Sequence, residues 1–399
     1  MNKFLYGTTA LVAGGFAAGP ALAEAEPLHL ELGGFFTAWY GYADPDVAAN
    51  GSTSVGEFTS VQNAEVYFKM RGELDNGLKV GGRIELEAET TGDQIDQHYL
   101  TLSGGFGELR VGSINSGRYS YGWNTDAPAV GVPINSGWMS GFVAAQNNSG
   151  LRFRSVGLST VIDFSNDESK ITYFTPRFNG FQLTASWTPR GHATTSNSVG
   201  QGGSTFFFSG PADENIINTN GFDLGLSYSG DFDGVGVEVQ AGLATATASN
   251  QADNSGLDDP FAYNGGIAVS YSGFTVAGSF AVVDEPLGLL CSGTAVGVAA
   301  CASSNEGESF NVGIGYSTGP WDFSLTYFQG EEEGFTAASP FGAGGDDENT
   351  FVALAASYTL GPGLRTSFSI LDIDLDGGRP GSVDDNDGIA VVWGIHAGF

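Results

Sequence analysis

Between Lys79 and Glu89 the chain reads KVGGRIELEAE, with Lys79, Arg83, Glu85, Glu87 and Glu89 all at odd positions. Val80, Gly82, Ile84, Leu86 and Ala88 fill the even ones. A period of two is the mark of a strand with one wet and one apolar face. The preceding stretch repeats it, with Glu65, Tyr67, Lys69, Arg71 and Glu73 on one face and Ala64, Val66, Phe68 and Met70 on the other. Asp75-Asn76-Gly77 joins the two, and Asn-Gly between alternating stretches predicts a tight hairpin. At the far end Ile389, Val391, Trp393, Ile395, Ala397 and Phe399 form an unbroken apolar series. A soluble strand would normally fray into polar residues there, so this face expects an apolar solvent.

The alternation is organised into a repeat. Tyr228-Ser229-Gly230, Tyr271-Ser272-Gly273, Tyr316-Ser317-Thr318-Gly319 and Tyr358-Thr359-Leu360-Gly361 recur at spacings of 43, 45 and 42 residues. Each is read as a short turn between two alternating strands. The other connections are long and polar, as from Asn250 to Ala262 or Asp284 to Glu308. Counting from Leu30 to Phe399 predicts about sixteen strands, an even number as in bacterial outer-membrane barrels. No cation of these strands falls on the apolar register, where lipid would penalise it by about 2–4 kcal/mol.

Met1 to Ala23 reads as an export signal, with Lys3, an apolar run from Ala10 to Ala18 and the ending Ala21-Leu22-Ala23. The run is too short for a membrane-spanning helix of about 20 residues, so residues 24–399 are expected to form one mature domain. Cys291 and Cys301 can oxidise in an exported chain and would close only a small loop; two unpaired thiols are the alternative. The formal net charge of -31 excludes nucleic acid as a partner. Of the 14 Lys and Arg, eleven lie between Lys69 and Arg190, whereas acids crowd into loops such as Asp384-Asp385-Asn386-Asp387.

Phe181, Tyr228, Tyr271, Phe274, Tyr316, Trp321, Tyr358 and Phe399 fall beside the short turns or the chain end. Such rings collect at membrane interfaces, so they predict one aromatic girdle. At this point ELGGFFTAWYGYAD, NAEVYFKMRGELDNGLKVGGRIELEAE, HYLTLSGGFGELRVGS, KITYFTPRFNGFQLTASWTP and the terminal Phe399 resemble the trimeric general-diffusion porins of Gram-negative bacteria, particularly those of alphaproteobacteria. The resemblance implies an all-β, transmembrane antiparallel barrel of sixteen strands, three to an assembly, with the third long loop folded inward to narrow the channel. It also implies passive diffusion of ions and small hydrophilic solutes through the outer membrane, with lipid and lipopolysaccharide as surroundings. The family's acidic loop motif with Pro-Glu-Phe is absent, so the constricting residues must be read from this chain.

The third long connection, from about Asn115 to Ser169, carries VGVPINSGWMSGFVAAQ. Its apolar and small residues suit packing against a barrel interior. Lys69, Arg71, Arg83 and Arg110, on the polar register of neighbouring strands, are expected to form a basic pore wall, with Asp126 as the facing acid. Opposed charges across a narrow aqueous gap discriminate solutes by charge and dipole. The competing reading is that these cations only pair with Glu65, Glu73 and Glu85. At the mouth, Asp372, Asp374, Asp376 and Gly377 match the first half of a calcium loop, but the twelfth position is Val383. An irregular calcium or magnesium site completed by Asp384, Asp385 and Asp387 stays open, against solvated acidic loops; no other cofactor is expected.

No assembled catalytic centre is apparent. Gly315-Tyr316-Ser317-Thr318-Gly319 matches a nucleophile elbow formally, but an elbow needs a following helix, and Pro320-Trp321-Asp322-Phe323 begins another strand. His29, His98, His192 and His396 lack metal-ligand spacing. A 42–45-residue period also fits propeller blades, making an exported β-propeller, a binding protein or hydrolase, the runner-up. Blades need four short strands per repeat, and each repeat here yields two long ones. A calcium-binding solenoid would need many GGxGxD repeats, and only Gly344-Gly345-Asp346 comes near.

Overall fold

A computed structural model describes residues 26–46, 56–88, 95–135, 138–143, 156–161, 165, 167–190, 216–250, 259, 261–285, 306–332, 346–376 and 386–399. The proposed export signal, both cysteines, Asp384 and Asp385 lie outside the described residues.

Sixteen strands follow one another around a closed barrel. They are β1 (Glu26–Pro45), β2 (Glu57–Glu73), β3 (Lys79–Glu87), β4 (Ile95–Gly104), β5 (Gly107–Ser113), β6 (Ser169–Phe174), β7 (Phe181–Arg190) and β8 (Ile216–Phe232). The second half comprises β9 (Val235–Asn250), β10 (Phe261–Tyr271), β11 (Phe274–Glu285), β12 (Gly307–Thr318), β13 (Trp321–Glu332), β14 (Asp347–Gly361), β15 (Leu364–Asp376) and β16 (Asn386–Gly398). Each strand pairs antiparallel with its neighbours in sequence. Closure comes from β1 on β16, in register from Phe35 opposite Gly398 to Pro45 opposite Gly388. Phe399 and Gly34 exchange two backbone hydrogen bonds, 3.0 and 3.1 Å, so the seam runs to the last residue.

The short turns follow local chemistry. Asn179-Gly180, Asp233-Gly234 and Ser272-Gly273 have positive φ at both central positions (47° and 87°, 54° and 88°, 49° and 87°). That is the type I′ geometry, whose twist matches paired strands. Two expected turns are corrected: Tyr358-Thr359-Leu360-Gly361 lies within β14, and Tyr228-Ser229-Gly230 lies within β8, which continues to Phe232. Asp233-Gly234 makes the turn after β8 instead, because this pair tolerates the left-handed backbone without strain. The elbow-like stretch at Ser317 is the end of β12, followed by a turn into β13.

The outer face is apolar. Ile314, Leu325 and Leu354 stand side by side on β12, β13 and β14 and are 44%, 49% and 54% exposed. Their inward neighbours Ser324, Thr326 and Ala355 are buried. Beside the short turns, Phe181 packs on Tyr228, Phe274 on Tyr316 and Trp321 on Tyr358, with ring centres 4.4–4.7 Å apart. Tyr263 on Phe280 belongs to a second aromatic level. Tyr263 and Tyr271 are eight residues apart on β10, about 26 Å along a strand and about 20 Å after tilting, near the apolar height of a membrane barrel. The last strand's apolar register, with Ile389, Val391 and Trp393 exposed on this surface, faces the same solvent.

Candidate functional site

The core lies inside the barrel. Val132, Ile134, Met139, Phe142, Val143 and Leu158 of the third long connection pack against Trp39, Phe328, Phe351, Leu371, Ile373 and Val392 of the inner wall. The connection begins with a short helix, α1 (Gly117–Gly122), whose N-terminus is capped by Ser116 Oγ accepting from Tyr119 N. Arg118 anchors it. Its Nε donates to Asp223 Oδ1 (3.1 Å) on β8 and its Nη1 to Asn264 Oδ1 (2.9 Å) on β10, and the side chain is 1% exposed.

Farther along, the backbone of the connection is stitched to polar side chains of one strand after another. Ala127 N donates to Asn311 Oδ1 (3.1 Å), Val130 N to Ser324 Oγ (3.2 Å) and Val132 N to Ser369 Oγ (3.2 Å). Thr59 Oγ1 of β2 donates to Gly141 O (3.3 Å). Non-helical backbone at membrane depth is tolerated only where protein or water satisfies it. These serines, threonines and asparagines do so.

Glycines of the wall make room. A Cβ on Gly225 would lie 3.1 Å from Arg118 Cα, one on Gly313 3.1 Å from Ala127 Cβ and one on Gly315 2.9 Å from Pro128 Cβ. On Gly242 it would fall into the Arg118 methylenes. The high glycine content therefore includes a seat for the inward connection.

What stays open lies between α1 and the β2–β5 wall. A cavity of about 530 Å³ is lined by Glu65, Tyr67, Arg83, Glu85, Asp96, Tyr99 and Arg110 of the wall and by Tyr119, Ser120 and Trp123 of the connection, among others. The cations there are held. Arg83 Nε lies 2.5 Å from Glu85 Oε1 and its guanidinium 3.6 Å from the Tyr67 ring centre. Arg110 Nε lies 2.6 Å from Glu108 Oε1, with its guanidinium 4.5 Å from the Phe174 ring. The lining carboxylates Glu65, Glu85 and Asp96 thus outnumber Arg83 and Arg110, three to two. Carboxylate oxygens of Glu65, Glu87 and Asp96 come within 4.8 Å of one another, close enough to share a cation.

Of the residues singled out by sequence, Arg83 and Arg110 share this cavity. Arg71 lines a second one, about 910 Å³, with His29, Glu73, Lys79 and Glu31, its salt-bridge partner. Lys69 stands opposite Arg83 in the strand register, its Nζ 5.4 Å from the Tyr67 ring. Asp126 is outside both sets of lining residues; its Oδ1 accepts from Asn135 Nδ2 (2.8 Å) and Asn311 Nδ2 (2.9 Å). Burial there pushes its carboxyl up to about 7, against the lowering effect of these donors.

Asp372, Asp374 and Asp376 stand exposed on the outer face of β15, while Leu371, Ile373 and Leu375 point inward to the core. Alternate strand positions are about 7 Å apart, so the three form a row along the strand. Sequence reasoning did not single out Arg118, Tyr119 or Trp123. The only available signal was a cluster of aromatic residues and one cation at the start of an apolar connection.

Residues 7–378 match the family model described as Gram-negative porin. No curated protein sequence matches. Among solved structures, the anion-selective porin of Comamonas acidovorans superimposes with a TM-score of 0.56 at 15% identity, covering 94% of this chain and 100% of that one. The outer-membrane channel DcaP of Acinetobacter baumannii gives 0.59 at 15%, covering 93% and 97%. The trimer form of OmpT, an outer-membrane protein of Vibrio cholerae folded in vitro, gives 0.51 at 11%, covering 93% and 99%.

Proposed function

The chain belongs to the Gram-negative porin family and is an outer-membrane diffusion channel, and from that premise we propose that its constriction is the gap between α1 and the β2–β5 wall and prefers cations. The carrying observation is the make-up of the lining, where Glu65, Glu85 and Asp96 exceed Arg83 and Arg110 and each arginine already has a carboxylate partner. The expected basic wall becomes in this reading a mixed wall: Arg83 and Arg110 orient solutes by their dipoles, while the acidic excess concentrates cations. Lys69 and Arg71 contribute on the way to the short-turn side. Passage, not bond making, is the proposed activity, with ions and small hydrophilic solutes as its substrates and lipopolysaccharide as its neighbour at the long-loop rim.

A homotrimer is part of the proposal, supported by the family and by the trimer form of the Vibrio protein. Planar-bilayer recording across a potassium chloride gradient tests both. Closures in thirds and a reversal potential of cationic sign are expected, with a preference that weakens as salt shortens the Debye length. A reversal potential of anionic sign at low salt would overturn the cation reading, and single-step closures would overturn the trimer.

A further inference from the structure

Trp123 is 41% exposed, whereas Tyr121, Gly122 and Thr125 beside it are buried. Its ring meets Tyr119 edge-on, centres 5.8 Å apart and planes at 88°. Both line the narrowed cavity. Of the tyrosines across from them, Tyr67 is covered by the Arg83 guanidinium at 3.6 Å, and Tyr99 has Arg110 at 5.8 Å. The exposed indole of Trp123 therefore offers a face to a solute. An aromatic face beside an excess of carboxylates attracts cations twice over, through the ring quadrupole and through the fixed charges.

We propose that this cavity is a transit binding site for aryl- and alkylammonium solutes, with the ammonium group on Glu65 and Asp96 and the apolar body against Trp123. The proposal rests on the channel reading and adds a solute class to it. At about 530 Å³ the cavity is within the range that encloses small organic ligands. An aryl carboxylate of the same shape meets the same rings, but its charge is repelled by the acids. Ethylammonium meets the same acids without covering the rings.

The test is single-channel recording in potassium chloride with benzylammonium, ethylammonium or benzoate added at equal ionic strength. Benzylammonium is expected to reduce the current and raise its noise at several-fold lower concentration than ethylammonium, and benzoate to leave both unchanged. Trp123→Ala should lower the preference for benzylammonium over ethylammonium about two- to twelvefold, the span of one aromatic–aromatic contact. The double variant Glu65→Gln, Asp96→Asn should weaken both ammonium ions alike. Trp123→Leu keeps apolar bulk without the ring quadrupole, and serves if the alanine variant does not assemble. Equal action of benzylammonium and ethylammonium on the unaltered channel, or an unchanged preference in both Trp123 variants, would overturn the site. Absence of any potassium chloride conductance in the unaltered protein is a different result, and sinks the channel reading instead.

Discussion

Arg118 and Asp223 meet at 3.1 Å inside the barrel, 105 residues apart in sequence, with side chains only 1% and 3% exposed. The pair ties the start of the inward connection to the wall. Removing one partner of a buried pair leaves a charge without compensation, which costs about 3–5 kcal/mol. Arg118→Met is therefore expected to lower the melting point in detergent and to release α1 from its seat, giving larger and noisier single-channel openings. Adding Asp223→Leu should restore much of the melting point but not the quiet openings, because the connection stays unanchored. Equal conductance and noise in all three proteins would show that the pair does not hold the constriction.

Gly242 gives the same anchor a geometric requirement. A Cβ at that position would fall into the Arg118 methylenes, so Gly242→Val must push the arginine out or bend the wall. Overpacking of this kind costs about 1–3 kcal/mol. The expected phenotype copies Arg118→Met in conductance, although no charge has been altered. Gly319→Ala is the control, since a Cβ there meets nothing within 4 Å, although its φ of 58° adds a small backbone strain. Normal channel currents from Gly242→Val would refute the close-packed seat.

Much of the barrel was legible because strand periodicity is local. The odd-numbered charges from Lys79 to Glu89 and the apolar series ending at Phe399 fixed the two faces, and the family resemblance implied an inward third connection, which its apolar composition suits. Docking of that connection depends on partners from 82 to 237 residues away and was not legible. Asp372, Asp374 and Asp376 drew notice as acids, whereas the structural weight falls on Leu371, Ile373 and Leu375, which alternate with them and belong to the inner core. Asp126 read as a pore acid, yet its partner Asn311 is 185 residues distant. The cations of the wall were found by register, but which carboxylate neutralises each of them depends on side-chain geometry that alternation does not encode.

Leu325 tests which solvent the outer face meets. It stands between Ile314 and Leu354 on adjacent strands and is 49% exposed. An arginine at mid-bilayer costs about 2–4 kcal/mol on a barrel's lipid face, but little on a surface wetted by water. Leu325→Arg is expected to fold less completely into lipid vesicles, as read by the gel mobility of unheated samples, while Leu325→Val folds normally. Equal folding yields for the two variants would place this face outside the hydrocarbon.

Asp126 predicts a pH dependence whose sign can be worked out. Its carboxyl is pushed up to about 7 in the folded chain by burial, whereas an unfolded aspartate titrates near 3.9. Between those values the folded chain holds a proton that the unfolded chain has lost, so stability falls as pH rises through that window. Below the lower value both states are protonated and the penalty is absent; above about 7 it is complete. Asp126→Asn keeps an oxygen acceptor for the Asn135 and Asn311 amides and removes the titration. The melting point of the unaltered protein should therefore drop relative to that of the variant between pH 5 and pH 8, and the gap should level off above. Melting points that run parallel across this range would mean that Asp126 is ionised throughout, and that water reaches it through the pore.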